Sequence, residues 1–522
     1  MSQYLGLDFS TQKLKAVVLD KELKLIHESE VNYDVQLPEF RTHGGVVKGE
    51  NGSVTSPVIL WVKALDLILD QMQVEGVSFS NIKAVAGAAQ QHGSVYWQKG
   101  SRNVLQQLTP NQFLHEQLRD CFVVKDSPVW MDSSTTKYCR MLEEAIGSAE
   151  KLAEITGSRA YERFTGPHIA KIADCRRKAY ENCERISLIS NFACSLFLGD
   201  YAEVDYSDAS GTNLMDVKCK EWNDECLKAL RAPDVKEKLG KPVPPHFQVG
   251  CISDYFVKRF GFNPSCCVSS FAGDNPASFG GMRALENDII VSLGTSDTLF
   301  FPLKNPAIFV NGHVFCSAVN KDEYLALLCF KNGSLTRERI RDTYAGKSWA
   351  EFESLLNSTP RGNFGNMGLY FDNQEIAPFA KPGDYRWNSE GRPVNRFSTG
   401  EIEIRALIEG QLLARRAYFE DMGLACAEKR RIVATGGASA NNAILQVLSD
   451  VFNLPVYKQA SAHSAALGAA YLAKLSVEPD NTFENLVKGL PEPELICKPN
   501  RDAAQIYEPM LKRYRILASG LK

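Results

Sequence analysis

Hydrophobic and polar positions follow two rhythms along this chain, and the switches between them mark its elements. At the start, Tyr4, Leu5, Leu7 and Phe9 run into the polar turn Ser10-Thr11-Gln12, and Leu14, Ala16, Val17, Val18 and Leu19 run out of it. Apolar runs flanking a tight Gly/Asp/Ser/Thr turn predict a β-hairpin, continued by Leu23-Lys24-Leu25-Ile26-His27. Trp61, Leu65, Ile68 and Met72 then fall at spacings of four, three and four, which predicts a helix with Ser56 as its cap and Pro57 at its first position. A strand is expected over 82–87. Helical spacing returns over 135–146 and 170–180, and 186–198 is strongly apolar. The proline-rich Lys241-Pro242-Val243-Pro244-Pro245 cannot be regular helix and reads as a connector. The strand-like Cys266-Cys267-Val268-Ser269-Ser270-Phe271 follows it.

The second half repeats the plan. Asp288-Ile289-Ile290-Val291-Ser292-Leu293 enters a Gly294-Thr295-Ser296-Asp297-Thr298 turn that leaves through Leu299-Phe300-Phe301. A strand over Tyr324–Phe330 and a long helix over 401–422 come next. The interval 357–395, rich in Gly, Asn and Pro, reads as a surface insertion. Ser464-Ala465-Ala466-Leu467-Gly468-Ala469-Ala470 opens a small-residue helix suited to close packing. Strands mixed with helices in both halves predict an α/β fold of two similar domains, 1–268 and 269–522.

The repetition of the glycine turn bears on chemistry. Such a turn presents backbone N–H groups and hydroxyls with little side-chain bulk, as an anionic oxygen cluster requires. A third glycine turn, Thr435-Gly436-Gly437-Ala438-Ser439-Ala440-Asn441, follows the strand-like Arg431-Ile432-Val433 and precedes a helical pattern. A flat nucleotide base can lie against such a backbone, while Ser439 or Asn441 offers a helix cap. Together the turns point to two half-molecules gripping one polyphosphate.

Composition narrows the setting. Of 522 residues, 44% are hydrophobic and 23% charged, with a net charge of −3. That balance argues against nucleic-acid binding, and no apolar run reaches the roughly 18 residues of a membrane span. The start goes straight into a strand, without the pattern of a targeting peptide. Fourteen cysteines scatter without any C-x-x-C, and the eight histidines show no metal-ligand spacing. Reduced thiols in the cytoplasm are expected.

Phosphoryl transfer needs a cradle, a cation to spread charge, and a base for the acceptor's proton. Asp274, in Ala272-Gly273-Asp274-Asn275-Pro276-Ala277, is the candidate base. Asn275-Pro276 reads as the cap and first position of a helix, whose dipole is expected to keep the carboxylate ionised. Asp8, inside the first turn, is expected to share Mg²⁺ with the phosphates, since a bare carboxylate would repel them. On the acceptor side, Gln90-Gln91-His92-Gly93 follows a strand and offers hydrogen-bonding groups for sugar hydroxyls. Trp130 beside Asp132 supplies an aromatic platform, and Arg163 and the segment Asp205-Tyr206-Ser207-Asp208-Ala209-Ser210 complete a polar loop set.

These motifs resemble the FGGY family of carbohydrate kinases over essentially the whole chain. The resemblance implies an actin-like, ribonuclease-H-like pair of domains with ATP and a sugar in the cleft between them. Gly6-Leu7-Asp8-Phe9-Ser10-Thr11 is similar to the family's first phosphate motif, Gly294-Thr295-Ser296 to its second, and Gly436-Gly437-Ala438-Ser439 to its adenosine motif. Asp274 matches the general base, and Glu409-Gly410 the start of the C-terminal helix pattern. Gln90-Gln91-His92-Gly93 is similar to the G-Q-M-H-G loop of members that phosphorylate D-xylulose. The implied sugar contacts are Gln91, His92, Arg163, Asp274 and Asn275. The implied nucleotide contacts are Asp8, Ser10, Thr11, Gly294, Thr295, Trp349, Gly436, Gly437 and Asn441, with Asp8 and Asp274 near Mg²⁺. Trp130-Met131-Asp132-Ser133-Ser134 lacks the arginine that many relatives place after this motif, and 165–172 lacks their usual tryptophan; the animal-type branch would account for both. The expected reaction is ATP-dependent phosphorylation of D-xylulose by a monomer or homodimer. Kinases for ribulose or glycerol, or a non-catalytic actin- or chaperone-like ATPase, remain alternatives.

Overall fold

The computed structural model describes residues 2–375, 377–426, 429–459 and 463–521. Two seven-stranded sheets organise these residues, each built outward from one of the glycine hairpins. In the first sheet, Gln3–Phe9 pairs antiparallel with Lys13–Leu19, which pairs antiparallel with Leu25–Asn32. On its other side Gln3–Phe9 pairs parallel with Ile82–Ala89, which in turn pairs parallel with Cys267–Ser269. In the second sheet, Asp288–Leu293 pairs antiparallel with Asp297–Leu303, and that strand with Tyr324–Phe330. On its far side Asp288–Leu293 pairs parallel with Arg431–Thr435, followed by Val456–Lys458. Antiparallel strands built on a glycine hairpin beside parallel strands thus occur twice, in keeping with an α/β fold of two similar halves. Burial explains the strand order. Gln3–Phe9 is apolar on both faces and central, whereas Leu25–Asn32 alternates towards solvent and lies at an edge.

Trp61, Leu65, Ile68 and Met72 are fully buried on the helix Val58–Val74. The helix starts one residue later than its sequence predicts. Ser56 sits in the strand Val54–Pro57, its hydroxyl donating to the Gly45 carbonyl at 3.0 Å, and Pro57 is the extended cap residue. The predicted helix over 170–180 divides into Thr165–Cys175 and Arg177–Glu181. The apolar stretch 186–198 divides into the end of the strand Cys183–Leu188 and the helix Ile189–Leu198.

The expected boundary at 268 falls inside a strand. Cys267–Ser269 and Ala272–Gly273 both pair with Ile82–Ala89, so the first sheet continues to Gly273 and the second begins at Asp288. The passage between sheets is the helix Asp274–Gly281 and the turn after it. The proline-rich connector lies within the first half, where Pro242–Val243 pairs with Val204–Asp205. The interval 357–395 is only partly the surface insertion expected. Met367–Phe371 pairs with Gly383–Trp387 and is buried along its length. The helix Gly400–Asp421 packs on this hairpin: a β-carbon on Gly410 would lie 1.9 Å from the Gly368 carbonyl oxygen.

The small-residue helix Ser464–Ser476 ties the halves together. A β-carbon on Gly468 would lie 1.8 Å from the Ala277 carbonyl oxygen, and one on Gly6 would lie 2.1 Å from that of Ala466. Backbone therefore touches backbone on two sides of this helix, an approach only glycine permits. The helix Ser464–Ser476 is wedged between the first sheet and the helix that begins at Asp274.

Candidate active site

Strand register brings the two candidate carboxylates to one edge. Asp8 stands opposite Ala88, and Ala88 opposite Ala272. Two residues beyond Ala272 the chain leaves the sheet and enters its helix at Asp274. Gly273, not Asn275, is the cap residue, and a β-carbon there would lie 2.6 Å from Gln91 Cγ. Asp274 Oδ1 accepts from the Asn275 backbone N–H at 2.9 Å and from its side-chain Nδ2 at 3.1 Å. The same Nδ2 donates to Gln91 Oε1 at 3.1 Å. The expectation that the helix dipole keeps Asp274 firmly ionised needs correction: burial, reinforced by the Asp8 charge, pushes its carboxyl up to about 7.

Asp8 is 2% exposed. Its Oδ2 accepts from Ser10 Oγ at 2.7 Å and Lys15 Nζ at 3.5 Å, while Oδ1 is buried without a partner. Burial raises its pKa, with Lys15 and Ser10 opposing. Thr11 Oγ1 accepts from Trp130 Nε1 at 2.9 Å, so the exposed indole borders this turn. Among the described residues no three His, Cys, Asp or Glu side chains converge on a metal position. Two acidic side chains, one with a bare buried oxygen, nevertheless suit a hard cation that takes its remaining ligands from phosphate and water. The edge therefore fits Mg²⁺ as an ion shared with a nucleotide.

Among the residues expected to meet the acceptor, His92 has a left-handed backbone, φ 72°, and its ring stacks on Phe164 at 4.4 Å. Its Nδ1 lies 2.9 Å from the Gly211 carbonyl, which only accepts, so Nδ1 carries the proton and Nε2 keeps a lone pair. Burial, with the Arg163 charge beside it, lowers its pKa to about 3. The Arg163 guanidinium lies 4.8 Å from the centre of the Tyr161 ring and bonds to His313 Nε2. Asp208, from the predicted loop set, is wholly buried; it accepts from Ser190 Oγ, and burial pushes its pKa up to about 7. Asp132 accepts from Val54 N and Ser134 N, each at 2.9 Å, and contacts His168.

The second hairpin and the third glycine turn enclose a cavity of about 640 Å³, lined by Leu293, Gly294, Thr295, Trp349, Gly437 and Asn441 among others. That is the size range of nucleotide-class ligands. Asn441 Oδ1 accepts from Ile444 N at 3.0 Å and caps the helix Asn442–Phe452. Gly436 stands behind the cavity: its φ is +83° and a β-carbon would lie 2.7 Å from Leu293 backbone. A comparable cleft of about 650 Å³, between Arg283, Lys429 and Glu492, contains none of the predicted site residues. Glu409 belongs to the core, accepting from Gly362 N at 2.9 Å and Tyr507 Oη at 2.7 Å.

The structure thus assembles Asp8, Ser10, Thr11, Gln91, Asp274 and Asn275 at one sheet edge, and Gly294, Thr295, Trp349, Gly437 and Asn441 around one cavity. Sequence reasoning missed the support beneath the second hairpin, where Arg337 and Arg415 converge on Asp297, and missed His313 beside Arg163. Nothing in a charged residue's immediate neighbours signals that tertiary packing will bury it. Glu338 and Glu353 also line the cavity, the latter one helical turn after Trp349.

Residues 120–281 match the N-terminal domain model, and 289–477 the C-terminal domain model, of the FGGY family of carbohydrate kinases. The chain is 52% identical to the xylulose kinase of Rattus norvegicus, covering 98% of this chain and 95% of the rat protein. It is 45% identical to xylulose kinase 2 of Arabidopsis thaliana, covering 90% and 87% of the two chains. Among solved structures, the xylulose kinase of Rhodospirillum rubrum superposes with a TM-score of 0.83 at 16% identity, covering 99% of each chain.

Proposed function

The chain belongs to the FGGY family of carbohydrate kinases, and on that premise we propose that it transfers the γ-phosphoryl group of ATP to the terminal O5 of D-xylulose. The observation that carries the mechanism is the meeting of Asp8 and Asp274 at one sheet edge, with a nucleotide-sized cavity under the second glycine hairpin. The choice of sugar is supported by the xylulose kinases to which the chain is similar over nearly its full length.

Asp274, in its ionised form, takes the proton from the C5 hydroxyl as that oxygen attacks phosphorus in line. The new P–O5 bond forms as the bond to the β–γ bridging oxygen breaks, and ADP leaves with that electron pair. Backbone N–H groups and hydroxyls of Gly294, Thr295, Ser10 and Thr11 hold the phosphoryl oxygens. Trp349, Gly436, Gly437 and Asn441 bound the adenosine position. Asp8 and Asp274 are the side chains that would hold Mg²⁺, whose charge, when bound, offsets that of the polyphosphate. Gln91, His92, Arg163 and Asn275 orient the ketose. His92 Nε2, holding a lone pair, accepts from a sugar hydroxyl, and the Arg163 guanidinium donates to sugar oxygens.

Fourteen free cysteines, several of them buried, favour a reducing compartment, and we place the enzyme in the cytoplasm. Among the described residues no helix is long and apolar enough to cross a membrane.

A coupled ADP-release screen across D-xylulose, D-ribulose, xylitol and glycerol tests the reading, with phosphorus NMR of the product. D-xylulose should give the highest kcat/KM and a 5-phosphate. A strong preference for another acceptor would overturn the sugar assignment, and no ATP-dependent turnover with any of them would overturn the kinase mechanism.

A further inference from the structure

His313 belongs to the C-terminal half, on the edge strand His313–Cys316, yet its ring is buried among residues of the sugar side. It packs edge-on against Tyr161 at 4.6 Å and lies 5.3 Å from Phe164, the ring on which His92 stacks. The Arg163 guanidinium bonds to its Nε2. Arginine only donates, so Nε2 must hold the lone pair and Nδ1 the proton. The Nδ1 partner is Ser158 Oγ at 3.1 Å, which fixes both the tautomer and the ring plane. The strand is itself fastened to the sugar side. Val314 N donates to the Gly157 carbonyl at 2.8 Å and Cys316 N to Ser210 Oγ at 3.1 Å, and just before the strand Tyr161 Oη donates to the Val310 carbonyl at 3.1 Å. Gly157 has φ +76°, and a β-carbon there would lie 1.9 Å from the Val314 carbonyl oxygen, so the contact leaves no slack.

We infer that His313 is a positioning residue of the sugar site: it accepts from Arg163 and holds that guanidinium in the orientation the ketose meets. The sugar site is then complete only while this strand of the C-terminal half is docked. The inference rests on the reading of Arg163 as a sugar contact. It goes beyond that reading by assigning part of sugar affinity to a residue of the nucleotide-binding half.

Steady-state kinetics on full-length H313L, H313Q, S158A and R163A test it. Losing the acceptor in H313L should raise KM for D-xylulose by roughly tenfold or more, the scale of a lost charge-assisted hydrogen bond, while KM for ATP stays within about twofold. H313Q, whose amide oxygen can accept from Arg163, should recover most of the loss. S158A should move D-xylulose KM in the same direction by less. An unchanged D-xylulose KM in H313L, with a raised one in R163A, overturns the inference and leaves Arg163 as a sugar contact. Equal rises in both KM values without rescue by H313Q make His313 merely structural, which also overturns it. An unchanged D-xylulose KM in R163A removes the premise itself. Should H313L fail to fold, S158A and H313Q decide: an S158A variant with wild-type D-xylulose KM overturns the inference.

Discussion

Arg337 grips Asp297 with both terminal nitrogens, at 2.8 and 2.9 Å, and the same guanidinium reaches the Gly294 carbonyl at 3.3 Å. Arg415 adds a further bond to the same carboxylate at 2.9 Å. Burial alone would raise the pKa of Asp297, but the two guanidinium charges outweigh it and hold the carboxyl below its usual range. Two guanidinium groups thus share one carboxylate behind the hairpin expected to meet phosphate. The bidentate geometry also fixes the turn from behind.

Asp297→Asn should therefore cost more than one hydrogen bond. Two buried arginines would lose their shared counter-charge, a defect of about 3–5 kcal/mol in comparable buried pairs. Chemical unfolding monitored by fluorescence should show a large fall in midpoint with the denaturant slope unchanged. A wild-type midpoint would mean that the cluster is a balanced burial with no net stabilising role.

Asp274→Asn should keep the fold and the affinity for nucleotide measured without Mg²⁺, while lowering kcat by about 10² to 10⁴, the span of a lost general base. The wild-type enzyme should also show an acid limb in kcat/KM. Burial and Asp8 push the Asp274 carboxyl up to about 7, so below that pH the base is progressively protonated and activity falls about tenfold per pH unit. Asp8 and Asp208 sit in the same field, so the midpoint belongs to the cluster and not to one carboxyl. A flat profile between pH 5.5 and 8, or near wild-type turnover of the Asn variant, would remove Asp274 from the role of base.

Gly436 and Gly294 should respond differently to a side chain, though both lie in glycine turns. Gly436 is left-handed and pressed against Leu293 backbone at 2.7 Å, so Gly436→Ala should destabilise the domain and weaken ATP together. Gly294 does not have positive φ, and the nearest atom to an added β-carbon is the Ser296 carbonyl oxygen at 3.3 Å. Gly294→Val should thus fold, lose ATP affinity by filling the cradle, and keep D-xylulose affinity measured without nucleotide. Thermal melts and calorimetry on both variants separate these outcomes, and equal destabilisation would refute the distinction.

The contrast shows what the sequence made legible. Both hairpins, the βα turn and its Asn441 cap could be read because each is local: a few residues of turn chemistry between apolar runs determine them. Asp274 was legible as a candidate for the same reason, but its ionisation was not. The helix-start pattern is local, whereas burial and the Asp8 charge come from distant segments brought together by the sheet. The hairpin within 357–395 was missed because turn glycines such as Gly362, Gly365 and Gly391 dominate its composition, while the burial of Met367–Phe371 comes from distant segments. Trp130 beside Asp132 was legible as a platform next to a carboxylate, but the contacts of Asp132 to Val54 and His168 come from distant segments.

His92→Ala bears most directly on the sugar. The Gly211 carbonyl fixes Nδ1–H, burial and Arg163 keep the ring neutral with a pKa of about 3, and Nε2 is left to accept. Because that ring stays uncharged throughout the working range, its loss should shift activity by a constant factor between pH 6 and 8 and leave the acid limb in place. Truncation leaves a sugar hydroxyl without its acceptor, costing about 1–3 kcal/mol in kcat/KM for D-xylulose. KM for ATP and slow sugar-independent ATP hydrolysis should stay near wild type, since the cavity proposed for the nucleotide is lined by other residues. A chaperone-like ATPase would show the opposite, with basal hydrolysis as its only activity and no pentulose effect. Calorimetric titration of D-xylulose into wild type and variant, without nucleotide, decides between them. Wild-type binding heat that shrinks in the variant supports the ketose contact, while no heat from wild type, with a response to another sugar, would remove the xylulose assignment and leave the kinase standing.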